Sequence, residues 1–556
     1  MFKISLIFFS FLLPISYSTA SPLKPSQAAI ASAHPVATAA GFDVLQQGGN
    51  AFDAAVAVSA TLAVVEPYSS GIGGGGFWLL HNAKTKKDIM VDGRETAPLN
   101  ATRNMYLDKA GNVIPGLSVN GALAAGIPGE PAALVHIAKK YGRLSLKQTL
   151  APAIHAARNG FVVKQEYRRM AGFRLKALQA SKAASAIFLK DNKVPPLGFI
   201  IKQSDLAKTL EAIAEQGHAG FYSGAVAKKL IAASQKANGI WSKKDFSFYK
   251  AKERKPITSE YNGYRLTSVA PPSSGGVALA EMLNILSAYN LEELSKANRV
   301  HVIVEAMRRT YRDRAEFLGD SDFVNVPVKK LISKKYASLL QQKIDFEKAT
   351  PSSSLKGVAD TSGGNHTTHF SILDKKGNRV SATLSVNYPF GSGFVAEGTG
   401  VLLNDEMDDF SAKPGVPNVY GLVGAEANAI EPGKRMLSSM SPTFIESEDK
   451  LAIIGTPGGS RIITMVLHGI LATLEGKTAE QVVNLPRYHH QYLPDVIQYE
   501  PKAFSPELVK TLKQLGHKLK PLDNTFGNMH VVVWDKKENK VSAASDKRGE
   551  GESKVY

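Results

Sequence analysis

The chain reads as a layered α/β (α+β) protein in which sheets are flanked by helices, and two observations carry that reading. Apolar residues before position 367 recur mostly at helical spacing, whereas after it short segments of period two alternate with helical ones. A sheet with an apolar face and a helix with an apolar stripe bury each other, and the stable arrangement is a stack of layers. With 556 residues, 44% hydrophobic and 21% charged, the chain has the composition to close a large core.

In chain order, residues 1–20 stand apart: Lys3 precedes an apolar run over 4–15, and Ser18 with Ala20 offers a small-x-small cleavage site, the pattern of an export signal. That run is too short to span a bilayer, and no later stretch approaches the roughly 20 apolar residues required, so no membrane insertion is expected. Residues 35–47 and 51–65 read as helices, the second started by Asn50 with Asp53 in its first turn and closed near Glu66-Pro67. Segments 77–82 and 87–92 read as a strand pair, and 131–158, 204–236 and 298–318 as mainly helical, with a loop over 182–202. Beyond residue 367, strands are expected at 369–373, 379–386, 443–445, 451–455 and 529–534. Helices are expected at 461–475, 478–484 and 505–516. The polar Gly/Ser-rich stretch 352–365 reads as an exposed processing loop.

The pair at 369–386 can be read in more detail. Val380, Ala382, Leu384 and Val386 alternate with Ser381, Thr383, Ser385 and Asn387, as in a strand with one buried face. The connection Asp374-Lys375-Lys376-Gly377-Asn378 fits a three-residue loop with Gly377 left-handed, which pairs Asp374 with Asn378 and therefore Thr367 with Ser385. A threonine hydroxyl needs a base to become a nucleophile. Cutting the chain before Thr367 would free an α-amine of pKa roughly 8 on the same residue, which could serve as that base.

Composition removes several other chemistries. With no cysteine there are no disulfides, thiolate nucleophiles or thiolate metal sites. The formal charge of +18 is uneven: residues 367–556 hold 21 basic and 22 acidic side chains, leaving 46 and 27 in the first 366. The lysines are scattered and no nucleic-acid module is present, so the surplus reads as a solvated surface that favours anionic substrates, and no nucleic-acid partner is expected. Gly71-Ile72-Gly73-Gly74-Gly75-Gly76 satisfies G-x-G-x-x-G, but it follows a helix and precedes a strand, the reverse of a dinucleotide site. Neither the His489, His490 pair nor the His366, His369 pair has the i, i+4 spacing of a zinc helix, and no metal is assigned. Gly455-Thr456-Pro457-Gly458-Gly459-Ser460 joins a strand to a helix, a place where backbone amides can face negative charge.

Thr367-Thr368-His369-Phe370-Ser371, Gly400-Val401-Leu402-Leu403-Asn404 running into Glu406-Met407-Asp408-Asp409-Phe410-Ser411, Leu437-Ser438-Ser439-Met440-Ser441-Pro442-Thr443 and Gly458-Gly459-Ser460-Arg461 together resemble the small subunit of the γ-glutamyltranspeptidase family. Upstream, His34-Pro35-Val36-Ala37, Gly48-Gly49-Asn50-Ala51-Phe52-Asp53, Gly73-Gly74-Gly75-Gly76-Phe77 and Asp92-Gly93-Arg94-Glu95 resemble its large subunit. The resemblance implies an αββα sandwich of the N-terminal-nucleophile hydrolase type. After the signal at 1–20, it also implies a large fragment 21–366 and a small fragment 367–556, cut between His366 and Thr367 and kept together as a heterodimer.

By the same resemblance Thr367 is the nucleophile, Ser385 its hydroxyl neighbour, and the Gly458 and Gly459 amides an oxyanion hole. Arg94, with Ser438 and Ser439, would hold an α-carboxylate; Glu406 and Asp409, with Asn387, an α-ammonium; and the loop 412–421 would be a lid placing Tyr420 near Asn387. Ser385 stands where many members carry Thr, Asp405 where Asn is common, and Glu406 where some carry Gln. The implied activity is hydrolysis of glutathione and other γ-glutamyl compounds, or transfer of the γ-glutamyl group to amino acids and peptides, without a cofactor, in a periplasmic or secreted protein. Two rivals are a related acylase that removes a glutaryl-type side chain from a β-lactam nucleus and a catalytically silent exported peptide-binding protein.

Overall fold

The computed structural model describes residues 23–355 and 367–556. The expected signal, His366 and most of the expected processing loop lie outside the described residues. Two antiparallel sheets lie face to face. The first has seven strands in the order Glu552–Val555, Ala29–Ser32, Thr368–Leu373, Arg379–Ser385, Gly75–Asn82, Lys87–Gly93 and Lys252–Arg254. The second has six, in the order Lys540–Ser545, His530–Asp535, Lys450–Gly455, Thr443–Glu446, Tyr264–Ser268 and Ile257–Tyr261. In the first sheet strands from both sides of residue 367 are interleaved; in the second, four strands from after it are followed by two from before it.

Helices cover both outer faces. Ala51–Val65 is buried along its whole length because its surface is almost entirely small and apolar, and it packs on the strands Thr368–Leu373 and Arg379–Ser385 of the first sheet, while Pro35–Gln46 beside it packs on Ala29–Ser32 and Glu552–Val555. It starts where the sequence indicates: the Asn50 side chain accepts from the Phe52 and Asp53 amides, while Asp53 reaches back to the Asn50 N–H. Gly275–Leu286 and Ile462–Leu474 cover the second sheet and Lys296–Phe317 packs on Gly275–Leu286, the three sharing one core through Leu283, Val466 and Ile303. Between the sheets, Leu79 and Leu373 meet Phe444, Leu451, Ile453 and Val532. The αββα order is therefore complete.

The central hairpin has the expected register: Arg379 pairs with Leu373 and Leu384 with Thr368, so Ser385 is the next residue opposite Thr367. Gly377 turns the chain at φ +87°, and the Asp374 N–H donates to Asn378 O at 3.0 Å. One expectation is corrected. The strand Arg379–Ser385 is buried on both faces, not one. Its polar side faces the second sheet, where the Ser381 hydroxyl donates to Ile454 O and the Ser371 hydroxyl to His530 O, both at 3.1 Å.

Other corrections follow from packing that local pattern does not reveal. The expected loop at 182–202 contains the helix Lys182–Phe188, capped by Ser181 and anchored by buried Phe188. The segment 131–158 is two helices, Glu130–Tyr141 and Leu146–Asn159, parted at Gly142 and restarted by a Ser145–Gln148 capping box. Likewise 204–236 is broken at Gly217 and Ser223. Helix Gly275–Leu286 and the strands between 252 and 268 were not anticipated.

Candidate active site

Thr367 is the residue immediately before the strand Thr368–Leu373, 6% exposed, and sits where two clefts meet. The narrower one, about 310 Å³, brings together Arg94, Thr367, Ser385, Asn387, Glu406, Asp409, Tyr420, Ser438, Ser439 and Gly459. All the expected site residues are there except Gly458, which lines the wider cleft on the other side of Thr367, and His366.

The glycine loop after Ala51–Val65 lets these segments converge. A Cβ on Gly73 would lie 2.0 Å from Leu402 O and one on Gly74 2.1 Å from Ser385 O, so no side chain fits between the loop and its neighbours. Asn404 then ties the loop to the acidic segment. Its side-chain amide donates to Gly73 O (2.7 Å) and Gly126 O (2.9 Å), and its oxygen accepts from the Gly126 and Glu406 amides at 3.0 Å. Asn387, at φ +73°, leaves the strand Arg379–Ser385 in a left-handed turn. It donates to Asp405 O at 3.0 Å, and its own N–H donates to the Ser385 hydroxyl at 2.7 Å.

Arg94 is the electrostatic centre. Its guanidinium pairs with Glu406 and, at 2.5 Å, with Asp409; its Nε donates to Met436 O, and Glu95 lies 3.6 Å away. Burial works against the charge on Arg94, but the surrounding carboxylates outweigh it and raise its pKa. Burial also raises Glu406 and Asp405, opposed at Glu406 by Arg94 and at Asp405 by Arg174, and pushes Asp408 up to about 6. The acidic run is thus not solvated surface: Asp405 and Glu406 are fully buried. Each acid has a separate task, since Asp408 accepts from the Ser118 hydroxyl (2.6 Å) and from the Val419 N–H of the loop 412–421 (2.9 Å).

The loop 412–421 lies against this corner. The Tyr420 hydroxyl donates to Asn387 O at 2.6 Å, and the Asn418 amide to Asp409 at 3.1 Å. The turn after the strand Lys450–Gly455 passes beside Thr367 with Gly458 at φ +145° and Gly459 at φ +55°. It enters a short 3-10 turn, Gly459–Arg461, and the helix proper begins at Ile462, one residue later than expected.

Sequence reasoning missed Arg314, which donates to Ser439 (3.1 Å) and Ser274 (3.0 Å) from inside the long helix Lys296–Phe317. No motif marks it; only the pairing of that helix with the Ser438-Ser439 segment does. His369 is held by Thr383 (2.9 Å) and Ser371 (3.2 Å) between the sheets, and His489 by Thr464 and Gln491 at 2.8 Å. Among the described residues no group of three or more His, Asp or Glu is arranged to hold a metal ion.

A threonine heading an inner strand of an αββα sandwich, beside a cleft, places the protein in the class of N-terminal-nucleophile hydrolases. The comparisons with known proteins narrow this. The sequence model of the family described as Gamma-glutamyltranspeptidase matches residues 37–556, and the chain belongs to that family. It is 42% identical over 530 residues to the glutathione hydrolase proenzyme of Escherichia coli, covering 94% of this chain and 91% of that one. To the glutathione hydrolase proenzyme of a Pseudomonas species it is 44% identical over 503 residues, covering 90% and 87%. Among solved structures, a cephalosporin acylase from Bacillus halodurans superposes with TM-score 0.84 at 27% identity, covering 98% of this chain and 99% of the other. A γ-glutamyltranspeptidase structure from Helicobacter pylori has TM-score 0.57 at 41% identity, over 62% of this chain and 97% of that one.

Proposed function

We propose that the chain is an exported γ-glutamyltranspeptidase and glutathione hydrolase, made as a precursor that cuts itself between His366 and Thr367. The observation that carries the reading is the meeting of Thr367 with a cleft holding both signs of charge, Arg94 against Glu406 and Asp409. A γ-glutamyl group is itself a zwitterion. Its α-carboxylate can replace Glu406 and Asp409 on the Arg94 fork while its α-ammonium replaces Arg94 on them, an exchange of like for like that leaves no buried charge unpaired. Ser438 and Ser439 lie beside Arg94 as further donors, Asn387 lies on the ammonium side, and the amides of Gly458 and Gly459 supply the oxyanion hole.

In the reaction the Thr367 Oγ1 bonds to the γ-carbonyl carbon and its proton passes to the Thr367 α-amine. The C–N bond breaks as that proton goes to the leaving amine. Water or an amino acid then attacks the ester carbonyl, giving its proton to the Thr367 α-amine, and the C–Oγ1 bond breaks as that proton passes on to Oγ1. Ser385 keeps a hydroxyl next to the nucleophile, and the wider cleft has room for the leaving and incoming amines. No cofactor takes part, the two fragments 21–366 and 367–556 stay together, and the signal at 1–20 directs the protein to the periplasm or beyond.

The test is the pure protein on a denaturing gel and against γ-glutamyl-p-nitroanilide. Two fragments, the smaller beginning Thr-Thr-His-Phe-Ser, and turnover are expected; Thr367→Ala should stay one inactive chain. A Thr367→Ala protein that still splits would refute self-cleavage. The likeness to a cephalosporin acylase favours a second reading, a glutaryl-type acylase. A glutaryl group has no ammonium and its carboxylate is repelled by Glu406 and Asp409, so a kcat/KM ratio favouring the glutaryl over the γ-glutamyl amide would select that reading.

A further inference from the structure

Thr368 begins its strand with its side chain on the face opposite Thr367, and its hydroxyl donates to Glu66 Oε2 at 2.7 Å. Glu66 ends the helix Ala51–Val65. Its N–H is spent on Leu62 O and its carbonyl accepts from the Ser69 and Ser70 amides, so a tight turn fixes its backbone. The other carboxyl oxygen accepts from the Tyr68 hydroxyl at 3.4 Å. Glu66 is 4% exposed, yet it lines the wider cleft together with Thr367 and Gly458.

We propose that Glu66 is a positioning residue for Thr367: through Thr368 it pins the first step of the nucleophile's strand, and its carboxyl group sets the charge of the cleft into which the Thr367 amine is released. The proposal rests on the reading of Thr367 as a freed N-terminal nucleophile. A chain terminus frays unless it is tied down, and once the bond before Thr367 is cut, the Thr368–Leu384 ladder pair and the Thr368–Glu66 bond hold the strand's first residue. A displacement of about 1 Å at a nucleophile can cost roughly a hundredfold in rate.

The surroundings make this tie responsive to pH. Burial raises Glu66, Thr368 opposes that by its hydrogen bond, and Glu166 and Glu550 add repulsion, which leaves Glu66 at about 7. The nearby cations are largely engaged: Arg169 pairs with Glu166, Lys164 lies 4.0 Å from Glu550, and Arg548 pairs with Glu500 and Asp546. Arg461, Lys520 and Asp523 also line the cleft, with Arg461 donating to Gln498. As pH rises through 7 the Glu66 carboxyl ionises, its bond to Thr368 becomes charge-assisted and shortens the strand's excursions.

The experiment measures kcat and KM for γ-glutamyl-p-nitroanilide across pH 5.5 to 9.5, per mole of cleaved enzyme. Glu66→Ala and Thr368→Val should each lower kcat about tenfold or more with KM within about twofold, and the double variant should be no worse than the worse single one. Glu66→Gln keeps an accepting oxygen, so kcat at pH 9 should stay within about threefold of wild type, while its profile loses the Glu66 inflection near pH 7 and keeps only that of the Thr367 amine, roughly one unit higher. Should Glu66→Ala fail to fold or mature, Thr368→Val and Glu66→Gln carry the test alone. Wild-type kcat in Thr368→Val, or a wild-type inflection in Glu66→Gln, would overturn the proposal. Wild-type turnover in the same assay tests the parent reading separately.

Discussion

Arg94 shows how a single side chain organises a site. It was legible in the sequence as the arginine after a strand, and the family resemblance gave it an anion-binding role. What the sequence could not show is that Glu406 and Asp409, read as holding the opposite end of the substrate, sit directly on its guanidinium, since this depends on a contact more than 300 residues apart along the chain. Replacing Arg94 by Ala leaves Glu95, Glu406 and Asp409 facing one another, and breaking a buried pair typically costs about 3–5 kcal/mol. A marked drop in Tm is therefore expected along with loss of activity. Arg94→Lys keeps the charge but not the fork, so it should fold, and its kcat/KM should fall about tenfold to a hundredfold, mainly through KM. Equal KM for wild type and Arg94→Lys in steady-state assays would remove Arg94 from substrate binding.

At the level of elements, the central hairpin was legible to the residue because its turn chemistry and its period agree. Gly377, at φ +87°, meets only Ala83 and Pro25 at ordinary contact distance or beyond, so a side chain there has space but not the backbone angle. Gly377→Val should accordingly lower stability by about 1–2 kcal/mol in denaturant melts without shifting the site. The helix Lys182–Phe188 was illegible for the opposite reason: it is short, and tertiary burial of Phe188, not a helical stripe, holds it. The lid is read from its Pro and Gly content but positioned by contacts with remote residues. Tyr420→Phe removes the donor to the buried Asn387 carbonyl, a loss of about 1–3 kcal/mol. The expected result is a raised KM and a larger share of hydrolysis over transfer, read from product ratios with a fixed amino acid acceptor.

At the scale of the whole molecule, the space between the sheets determines how the protein responds to acid. His530 is fully buried there, stacked on His369 with ring centroids 6.4 Å apart, and neither ring nitrogen has a hydrogen-bond partner among the described residues. Burial lowers its pKa from 6.5 to about 3. The unfolded chain therefore binds a proton that the folded one refuses, and stability that is complete above pH 6.5 is lost as pH falls toward 3. The slope is up to about 1.4 kcal/mol per unit. His530→Phe keeps a ring and removes the titration, so its Tm relative to wild type should rise steadily as melts are repeated from pH 7 down to pH 4. A difference that does not change with pH would show that His530 takes up its proton as readily in the fold as in the unfolded chain.

The strand Ala29–Ser32 lies between Glu552–Val555 on one side and Thr368–Leu373 on the other. If the chain is cut before Thr367, a strand of one fragment is then hemmed in by two strands of the other, and the first sheet passes from fragment to fragment and back several times across its width. Such a pair cannot be lifted apart as two subunits are. It can only be unravelled. Two populations carrying different isotopes, mixed under native conditions, should keep their original partners indefinitely, and hybrids should form only after denaturation. Covalent cutting in this architecture thus creates a new chain end without creating a new dissociable partnership, and the lifetime of the assembly equals the lifetime of the fold.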